Sequence, residues 1–215
     1  MAANLFYSAR LSSTLGKMNK PYSIITLEQG TSEWLAWRHD GIGASEASTI
    51  MGENRFESPS TLLRQKCCSP TKGHMNAAMA RGVALEPKAR AYYNTKLSIE
   101  SEPQCLQSLQ YEWLRASLDG ITADGSRAVE IKCGQSAYRT TAKTGRPPRY
   151  YYGQFQHLMA ITGLASIDYC CYFPPGRPLM TKVARNQSYI DDLLRAEEVF
   201  WNEVIKRRNS KPNDA

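Results

Sequence analysis

The stretch of residues 117–132 constrains the fold more than any other part of this sequence. It holds two acids and a lysine among aliphatic residues that are typical of strands. Asp124 and Gly125 lie in its middle and predict a two-residue type I′ turn, because glycine accepts the positive φ that this turn requires. The stretch is therefore expected to form an antiparallel hairpin that carries acidic side chains into a half-buried sheet, where burial of a charge needs a compensating partner.

The expected hairpin brings two carboxylates together. Counting outward from the turn pairs Ile121 with Ala128, and the same count places Asp119 opposite Glu130. Opposed side chains have Cβ atoms roughly 4.5–5.5 Å apart, and like charges there repel each other unless something bridges them. Lys132 follows Glu130 at the two-residue period of a strand and therefore lies on the same face. A bulge or a one-residue slip would change this count.

Two carboxylates and an amine at one place suit magnesium-dependent phosphate chemistry. Mg²⁺ takes carboxylate, water and phosphate oxygens as ligands and lowers the pKa of a bound water. Lys132 would orient that water and offset charge on the phosphate under attack. The alternative is a surface hairpin in which Glu130 and Lys132 form an ordinary charge pair, and the spacing alone does not decide between the two.

The charge of the chain favours an anionic partner. The 215 residues carry a formal net charge of +7, and the pI is about 9.1. Residues 135–185 hold seven lysines and arginines against the single acid Asp168, and Tyr138 and Tyr150 to Tyr152 are interleaved with them. Such a region suits contact with a phosphate backbone, although a solvated basic surface would have the same composition.

The length of the chain predicts one domain over residues 22–215, preceded by an extension over residues 1–21. This extension is basic and weakly resembles a transit peptide, but a flexible or docking segment is the preferred interpretation. The six cysteines lack the paired spacing of a zinc site and are expected to be reduced, mostly buried thiols. No apolar run approaches a membrane span, so a cytoplasmic protein without membrane contact is expected.

The remaining pattern predicts alternating helices and strands. Helices are expected over residues 32–38, from residue 44, and over residues 77–93, 150–162 and 189–208; strands are expected over residues 104–111, 113–119, 128–133, 166–173 and 179–185. Ser32 would cap the first helix, and Pro87 would kink or interrupt the third. A strand, helix, strand passage over residues 128–173 implies a parallel crossover. The expected fold class is α/β, a central mixed sheet flanked by helices on both faces.

Two further side chains, those of Ser45 and Glu86, are candidates for a binding or catalytic site. Ser45 follows a glycine-containing turn at a helix start, where free amides favour an anion, although simple capping would explain it equally well. Glu86 precedes Pro87 and could face the hairpin, although a carboxylate on a helix surface needs no such role.

Five motifs follow one another between residues 34 and 173. They are Trp37-Arg38 with residues 41–45, Arg81-Gly82 with residues 85–90, residues 117–120, residues 130–132 and residues 154–156. In this order and spacing they resemble the lambda-exonuclease and YqaJ-like viral recombinase family of PD-(D/E)XK nucleases. The resemblance implies a restriction-endonuclease-like core.

The resemblance also implies a role for each matching residue. Asp119 and Glu130 would bind Mg²⁺ together with the backbone carbonyl of Ile131. Lys132 would position the attacking water. Glu86 would complete the acidic site or bind a second ion, and Mn²⁺ is expected to substitute for Mg²⁺. Arg38, Ser45, Ser117 and Gln156, with Gln154 beside them, would bind DNA and form a pocket for a 5′-phosphate.

Members of this family degrade one strand of linear duplex DNA from its 5′ end. They work processively as ring-shaped homotrimers and leave a 3′ single strand for a phage-type annealing protein. The resemblance therefore implies the same activity and partners here, in a bacterial host or a prophage. Two alternatives stay open: a structure- or site-specific endonuclease on the same core, and a non-catalytic DNA-binding module.

Overall fold

The computed structural model describes residues 20–70 and 76–210. The predicted extension over residues 1–21 lies outside the described residues except for its last two positions. The strands are β1 (Tyr22–Ile25), β2 (Ile42–Gly43), β3 (Glu102–Ser108), β4 (Leu114–Ile121), β5 (Ala128–Lys132), β6 (Ser166–Cys171) and β7 (Leu179–Ala184). The helices are α1 (Ser32–His39), α2 (Ala47–Ile50), α3 (Pro59–Lys66), α4 (Ala77–Leu97), α5 (Gln135–Thr144), α6 (Tyr152–Thr162) and α7 (Gln187–Ser210). Short 3₁₀ turns, Ala44–Glu46 and Arg149–Tyr151, precede α2 and α6.

The strands form one mixed sheet. Their order is β1-β3-β4-β5-β6-β7, and β2 pairs with β4 as a short branch. β5 and β6 run parallel, which confirms the crossover predicted between them, whereas β6 and β7 run antiparallel. The mixed α/β fold expected from the sequence is therefore confirmed.

Both faces of the sheet are covered because side chains alternate across a strand. On one face, Val129 and Ile131 of β5 pack against Ala89 and Tyr93 of α4. On the other face, Ala128 belongs to a larger core that includes helix α6. Helix α7 lies outside α6 and closes a third cluster, in which Phe200 and Trp201 are buried, as expected of core residues.

The central hairpin keeps the predicted register but not the predicted turn. Ile121 pairs with Ala128, as counted from the sequence. The turn itself is wider: the amide of Gly125 donates to the carbonyl of Thr122 at 2.8 Å, and Gly125 has a φ of +77° whereas Asp124 does not take a positive φ. The type I′ prediction is therefore wrong. The carboxylate of Asp124 instead accepts the amide of Ser126 at 3.0 Å, a local bond that favours the wider turn.

Several local predictions also differ from the structure. Thr31, not Ser32, caps α1 by accepting the amide of Trp34 at 3.2 Å. Helix α4 continues without interruption past Pro87, since burial of Ala89 and Tyr93 beyond it offsets the missing amide. The pattern missed β1, β2, α3 and α5. Of these, β2 is only two residues long and lies in the segment that the sequence predicts to be a glycine-containing turn.

The cysteines are not cross-linked: all six lie within the described residues, none of them forms a disulfide bond, and four of them are buried. Over residues 20–70 and 76–210, no helix combines the length and the apolar character needed to cross a membrane.

Candidate active site

A cavity of about 200 Å³ opens where β4 and β5 separate. It is lined by seven of the residues singled out in the sequence: Arg38, Ser45, Ser117, Asp119, Glu130, Lys132 and Gln154. Side chains from α1, the 3₁₀ turn before α2, two strands and α6 therefore converge on one opening. Two of the residues predicted to bind a metal, Asp119 and Glu130, therefore line the same cavity as most of those predicted to bind a phosphate.

The position of Asp119 follows from the end of the β4–β5 ladder. The last ladder pair is Gly120 with Val129, so Asp119 and Glu130 are not a ladder pair as the hairpin count supposed. The pairing of β4 with β3 also shifts register near this point, as a bulge does. The amide of Ile131 donates its hydrogen bond to the carboxylate of Asp119, at 2.7 Å, and not to a main-chain oxygen of β4. The strands therefore splay, and the carboxylate occupies the gap.

Glu130 is a buried acid in which one carboxylate oxygen accepts two hydrogen bonds and the other accepts none from the described residues. Its exposed fraction is 1%. Its Oε1 atom accepts from Lys132 Nζ at 2.5 Å and from Gln154 Nε2 at 2.5 Å. Its Oε2 atom is buried and has no hydrogen-bond partner within the described residues. A buried carboxylate oxygen without a donor is costly, and a bound cation would satisfy it.

The electrostatics of the cavity favour binding of a positive ion. Burial and the nearby charge of Glu130 raise the pKa of Asp119 well above its ordinary value, while Lys132 opposes that shift. Burial disfavours the charged form of Lys132, but Glu130 and Asp119 outweigh it and raise the pKa of this amine. Lys132 therefore stays charged, and its ammonium lies 4.9 Å from the centre of the Tyr151 ring.

Glu86 lies behind the cavity rather than in its lining. Arg90 donates through Nη1 to Glu86 Oε1 at 3.0 Å and to the Asp119 carbonyl at 2.7 Å. This arginine is one helical turn from Glu86, so the pair forms within α4 and holds the carboxylate there. Across the described residues, no three His, Cys, Asp or Glu side chains gather as a metal-binding group. The structure therefore does not bring Glu86 to Asp119 and Glu130 as a third ligand.

Arg38, Ser45 and Ser117 lie together on the far side of the cavity. The guanidinium of Arg38 donates to the hydroxyl of Ser45, and it stacks on the Trp34 ring with its carbon 5.2 Å from the ring centre. The indole of Trp34 donates to the hydroxyl of Ser117 at 2.8 Å. An arginine held between an aromatic face and a hydroxyl is pre-oriented to bind an anion.

The two glutamines of α6 have different environments. Gln154 reaches the cavity and donates to Glu130. Gln156 is fully buried elsewhere: its Nε2 atom donates to the Ala184 carbonyl at 2.9 Å, and its Oε1 atom accepts the Asn186 amide at 2.9 Å. Residues two apart on a helix point in different directions, so both cannot face one pocket. The placement of Gln156 in the phosphate pocket is therefore corrected.

A buried lysine with no sequence motif around it holds the segment between Arg38 and Glu46 in place. Lys66 of α3 donates to the Gly41 carbonyl at 2.7 Å and to the Arg38 carbonyl at 3.2 Å. It also forms an ion pair with Glu46 at 2.9 Å, and Glu46 accepts the amide of Gly43 at 3.0 Å. Burial lowers the pKa of Lys66, and Glu46 opposes that shift. Lys66 lies outside the five motifs, so only the tertiary contact identifies it.

The last turns of α7 tie down the same segment from outside. Arg208 donates through its three nitrogens to the Lys66 carbonyl at 2.9 Å, to the Asp40 carboxylate at 2.9 Å and to the His39 carbonyl at 3.1 Å. Its guanidinium stacks on the Trp201 ring, with the central carbon 5.3 Å from the ring centre. The loop between α1 and β2 is thus held by two cations from distant parts of the chain.

The fold and this cavity define a mixed-sheet α/β domain in which two carboxylates and a lysine meet beside an arginine that is held by an aromatic ring and a hydroxyl. Residues 33–165 match the model of the YqaJ-like viral recombinase domain. The chain belongs to this family, as the sequence motifs predicted.

Two curated relatives carry the same domain in longer proteins. The chain is 23% identical to uncharacterized protein YqaJ of Bacillus subtilis (strain 168) over 183 residues, which cover 83% of this chain and 57% of that protein. It is 25% identical to uncharacterized protein R354 of Acanthamoeba polyphaga mimivirus over 158 residues, which cover 66% of this chain and 28% of that protein. The chain therefore spans about half or less of the relatives it matches.

Solved structures with the same fold include exonucleases. The alkaline exonuclease LHK-Exo of Laribacter hongkongensis superposes with a TM-score of 0.74 at 27% identity, covering 83% of this chain and 95% of that one. The same protein in complex with dAMP gives a TM-score of 0.75 at 28% identity, with the same coverage. A phage-related exonuclease of Haemophilus somnus 129PT shares the fold, with a TM-score of 0.56 at 12% identity over 77% of this chain and 94% of that one.

Proposed function

We propose that this chain is a magnesium-dependent exonuclease that digests one strand of linear duplex DNA from its 5′ end and leaves a 3′ single strand. The observation that carries the proposal is the convergence of Asp119, Glu130 and Lys132 in a cavity that also holds Arg38 and Ser45. The likeness to the alkaline exonuclease of Laribacter hongkongensis supports the same class of reaction. The family description, a viral recombinase domain, supports a role in recombination, and annealing of single strands is the route that we propose.

The donor set of the cavity fits Mg²⁺. The Oε2 atom of Glu130, which has no partner within the described residues, and the carboxylate of Asp119 are hard oxygen donors. Mg²⁺ commonly binds to one or two carboxylates, with waters and substrate phosphate as the other ligands. The family resemblance adds the carbonyl of Ile131. A bound Mg²⁺ would make a water acidic enough to attack and would draw charge from the phosphate. Binding of the ion would also favour the ionised form of Asp119.

The side chains of the protein have separate tasks in this proposal. Lys132 stays charged and orients the attacking water while it offsets negative charge on the phosphate. Gln154 fixes the orientation of Glu130 through its bond to Oε1. Arg38, Ser45 and Ser117 bind the terminal 5′-phosphate, and Gln156 takes no part. Glu86 acts from behind, where its charge adds to the raised pKa of Asp119.

A plasmid digest tests the proposal. Linear duplex should be degraded in the presence of Mg²⁺ or Mn²⁺ and left intact in excess EDTA, and covalently closed circular plasmid of the same sequence should survive. Cleavage of the closed circle at a similar rate would identify an endonuclease instead. Binding of DNA without any cleavage in either metal would identify a non-catalytic module.

The proposal extends to the assembly and its partners. We propose a ring of three chains around duplex DNA, two bound ions in the working state, a single-strand annealing protein as partner, and the host cytoplasm as the location. A head-to-tail contact that rotates each chain by a third of a turn closes such a ring. A ring that encircles duplex DNA should keep digesting when competitor DNA is added. A monomer mass in sedimentation equilibrium, with immediate arrest by competitor, would contradict the ring.

A further inference from the structure

A row of aromatic rings leads from Lys132 to the protein surface. Tyr151 lies against the lysine ammonium but does not line the cavity. The Tyr150 ring is 4.4 Å from Tyr151, and the Phe56 ring is 5.8 Å from Tyr150, centre to centre. These three rings are called the aromatic strip below. The strip begins beside the proposed reaction centre and ends in solvent.

The outer part of the strip is not core packing. Phe56 is 71% exposed, and Tyr150 is half-buried. Phe56 nevertheless contacts Tyr150 edge to face, at an interplanar angle of 81°. The exposed guanidinium of Arg55 covers both rings, at 4.6 Å from the centre of Phe56 and 5.7 Å from that of Tyr150. Such contacts order the rings without removing them from solvent.

The chemistry of the strip fits unpaired nucleobases. Aromatic rings stack on bases of any sequence, and a cation beside them contacts the backbone phosphate. The cavity, at about 200 Å³, is smaller than the ~300–1,000 Å³ of pockets that enclose a drug-sized ligand, so it does not enclose several nucleotides. The nucleotides that follow must therefore leave the cavity, and the strip lies directly beside Lys132. A protein partner would favour a wider apolar patch than one exposed phenylalanine.

We propose that the aromatic strip, with Arg55, binds unpaired bases of the strand being digested where that strand leaves the cavity. This inference rests on the proposed function, which supplies the strand and its direction. Stacking separates the end of this strand from its complement and holds the next phosphodiester near Lys132. The strip thereby adds a base-binding subsite outside the metal site and the phosphate pocket.

The test uses a single-stranded oligonucleotide with 2-aminopurine near its 5′-phosphate, bound to the full chain in EDTA, so that no cleavage is needed. Stacking should quench the fluorescence on binding. Phe56→Ala and Tyr150→Ala should each weaken binding fivefold or more, the scale of one lost base–aromatic stack, and should reduce the quench. Tyr150→Phe should retain both. The matched control is Tyr92→Ala, which removes an exposed ring from α4 away from the strip.

The outcomes separate this inference from the proposed function. If folded Phe56→Ala and Tyr150→Ala variants bind the oligonucleotide with parental affinity and quench its fluorescence as the parent does, the proposed base-binding role of the strip is wrong, whatever the digestion assay shows. Equal losses in Tyr92→Ala would also overturn it, since the effect would then not be local. If the parent protein fails to digest linear duplex while the strip variants still lose binding, the base-binding strip stands and the exonuclease proposal fails. Phe56→Leu tests the same position if the alanine variant does not fold.

Discussion

Glu130 and Glu197 are both buried acids that pair with a side chain of α6, and each has one oxygen without a hydrogen-bond partner within the described residues. Glu130 pairs with Gln154 and opens onto the cavity. Glu197 pairs with His157 at 2.7 Å, and His157 also contacts the Arg115 carbonyl at 3.0 Å, with both side chains fully enclosed. One helix thus contacts both the carboxylate that is proposed to bind a metal and a carboxylate enclosed in the core.

The difference teaches that burial alone does not mark a functional acid. Around Glu130, a second carboxyl group lies close by at an opening, and burial together with repulsion from Glu130 raises the pKa of this group, Asp119. Around Glu197, a single histidine balances the charge: burial lowers the pKa of His157, but Glu197 outweighs it and raises this pKa. Two acids close together at an opening indicate a cation site, whereas balanced charge in a closed core indicates structure.

The largest effect is expected from Glu130→Gln, which tests whether Glu130 differs in function from Glu197. It removes a proposed metal ligand and keeps the shape, so turnover on linear duplex should fall at least ~10²- to 10³-fold. The melting temperature should change little, because loss of the ion pair with Lys132 is offset by removal of a buried carboxylate oxygen that has no donor within the described residues. The measurements are initial rates and thermal melting of the same preparation. Parental turnover in Glu130→Gln would remove Glu130 from the site.

The opposite result is expected for the structural pair. His157→Gln leaves Glu197 without its cation and should lower the free energy of unfolding by about 3 kcal/mol, the scale of a broken buried ion pair. Turnover well below the melting temperature should stay near the parental value. Urea unfolding measures the loss of stability, and a digestion assay at low temperature measures turnover. A large loss of turnover in the folded variant would make this pair part of the site.

The same pair predicts a pH dependence. A histidine with a raised pKa in the folded state adds stability that is complete below its unfolded pKa of about 6.5 and is lost as the pH rises through the folded value. Glu197 and Glu46 are the charged groups that raise it. The unfolding free energy that His157→Gln loses should therefore be greatest near pH 6 and should shrink at alkaline pH. A pH-independent difference would show that the imidazole acts by packing alone.

Arg38→Ala tests the phosphate side of the cavity. The parent should digest a 5′-phosphorylated end faster than a 5′-hydroxyl end, since a charged hydrogen bond contributes ~1.5–3 kcal/mol. The variant should lose most of that preference, about tenfold or more, while keeping turnover on the hydroxyl end. Lys66→Met should reduce the preference less, because it loosens the segment without touching the phosphate. An undiminished preference in Arg38→Ala would move the pocket elsewhere.

The smallest expected effect separates the two glutamines. Gln156→Leu should cost about 1 kcal/mol of stability through two lost backbone contacts and leave the 5′-phosphate preference unchanged. Gln154→Leu should lower turnover with little change in stability, because Glu130 loses its orienting donor. Rates and unfolding curves for the pair decide the assignment. Loss of the phosphate preference in Gln156→Leu would restore it to the pocket.

The parts of the site that were predicted from sequence are those set by local rules. A strong turn signal fixed the hairpin register, so the proximity of Asp119 and Glu130 was expected although the ladder ends before them. Helix geometry also predicts that the side chains of Gln154 and Gln156 point in different directions, whereas the family motif groups residues 154–156 together. Lys66 was not predictable in this way, since nothing near it in sequence marks it and its contacts lie 25 and 28 positions away.

The hydrogen bonds of Arg208 have a consequence for the order of folding. They join residues 142 to 169 positions apart, and such long-range contacts form late because the intervening chain must first be ordered. During synthesis, strands β4 and β5 are therefore complete well before the loop between α1 and β2 is secured. A growing chain would therefore complete its proposed metal-binding carboxylates early and its proposed phosphate pocket last, so an incomplete molecule would lack the proposed means to hold a DNA end.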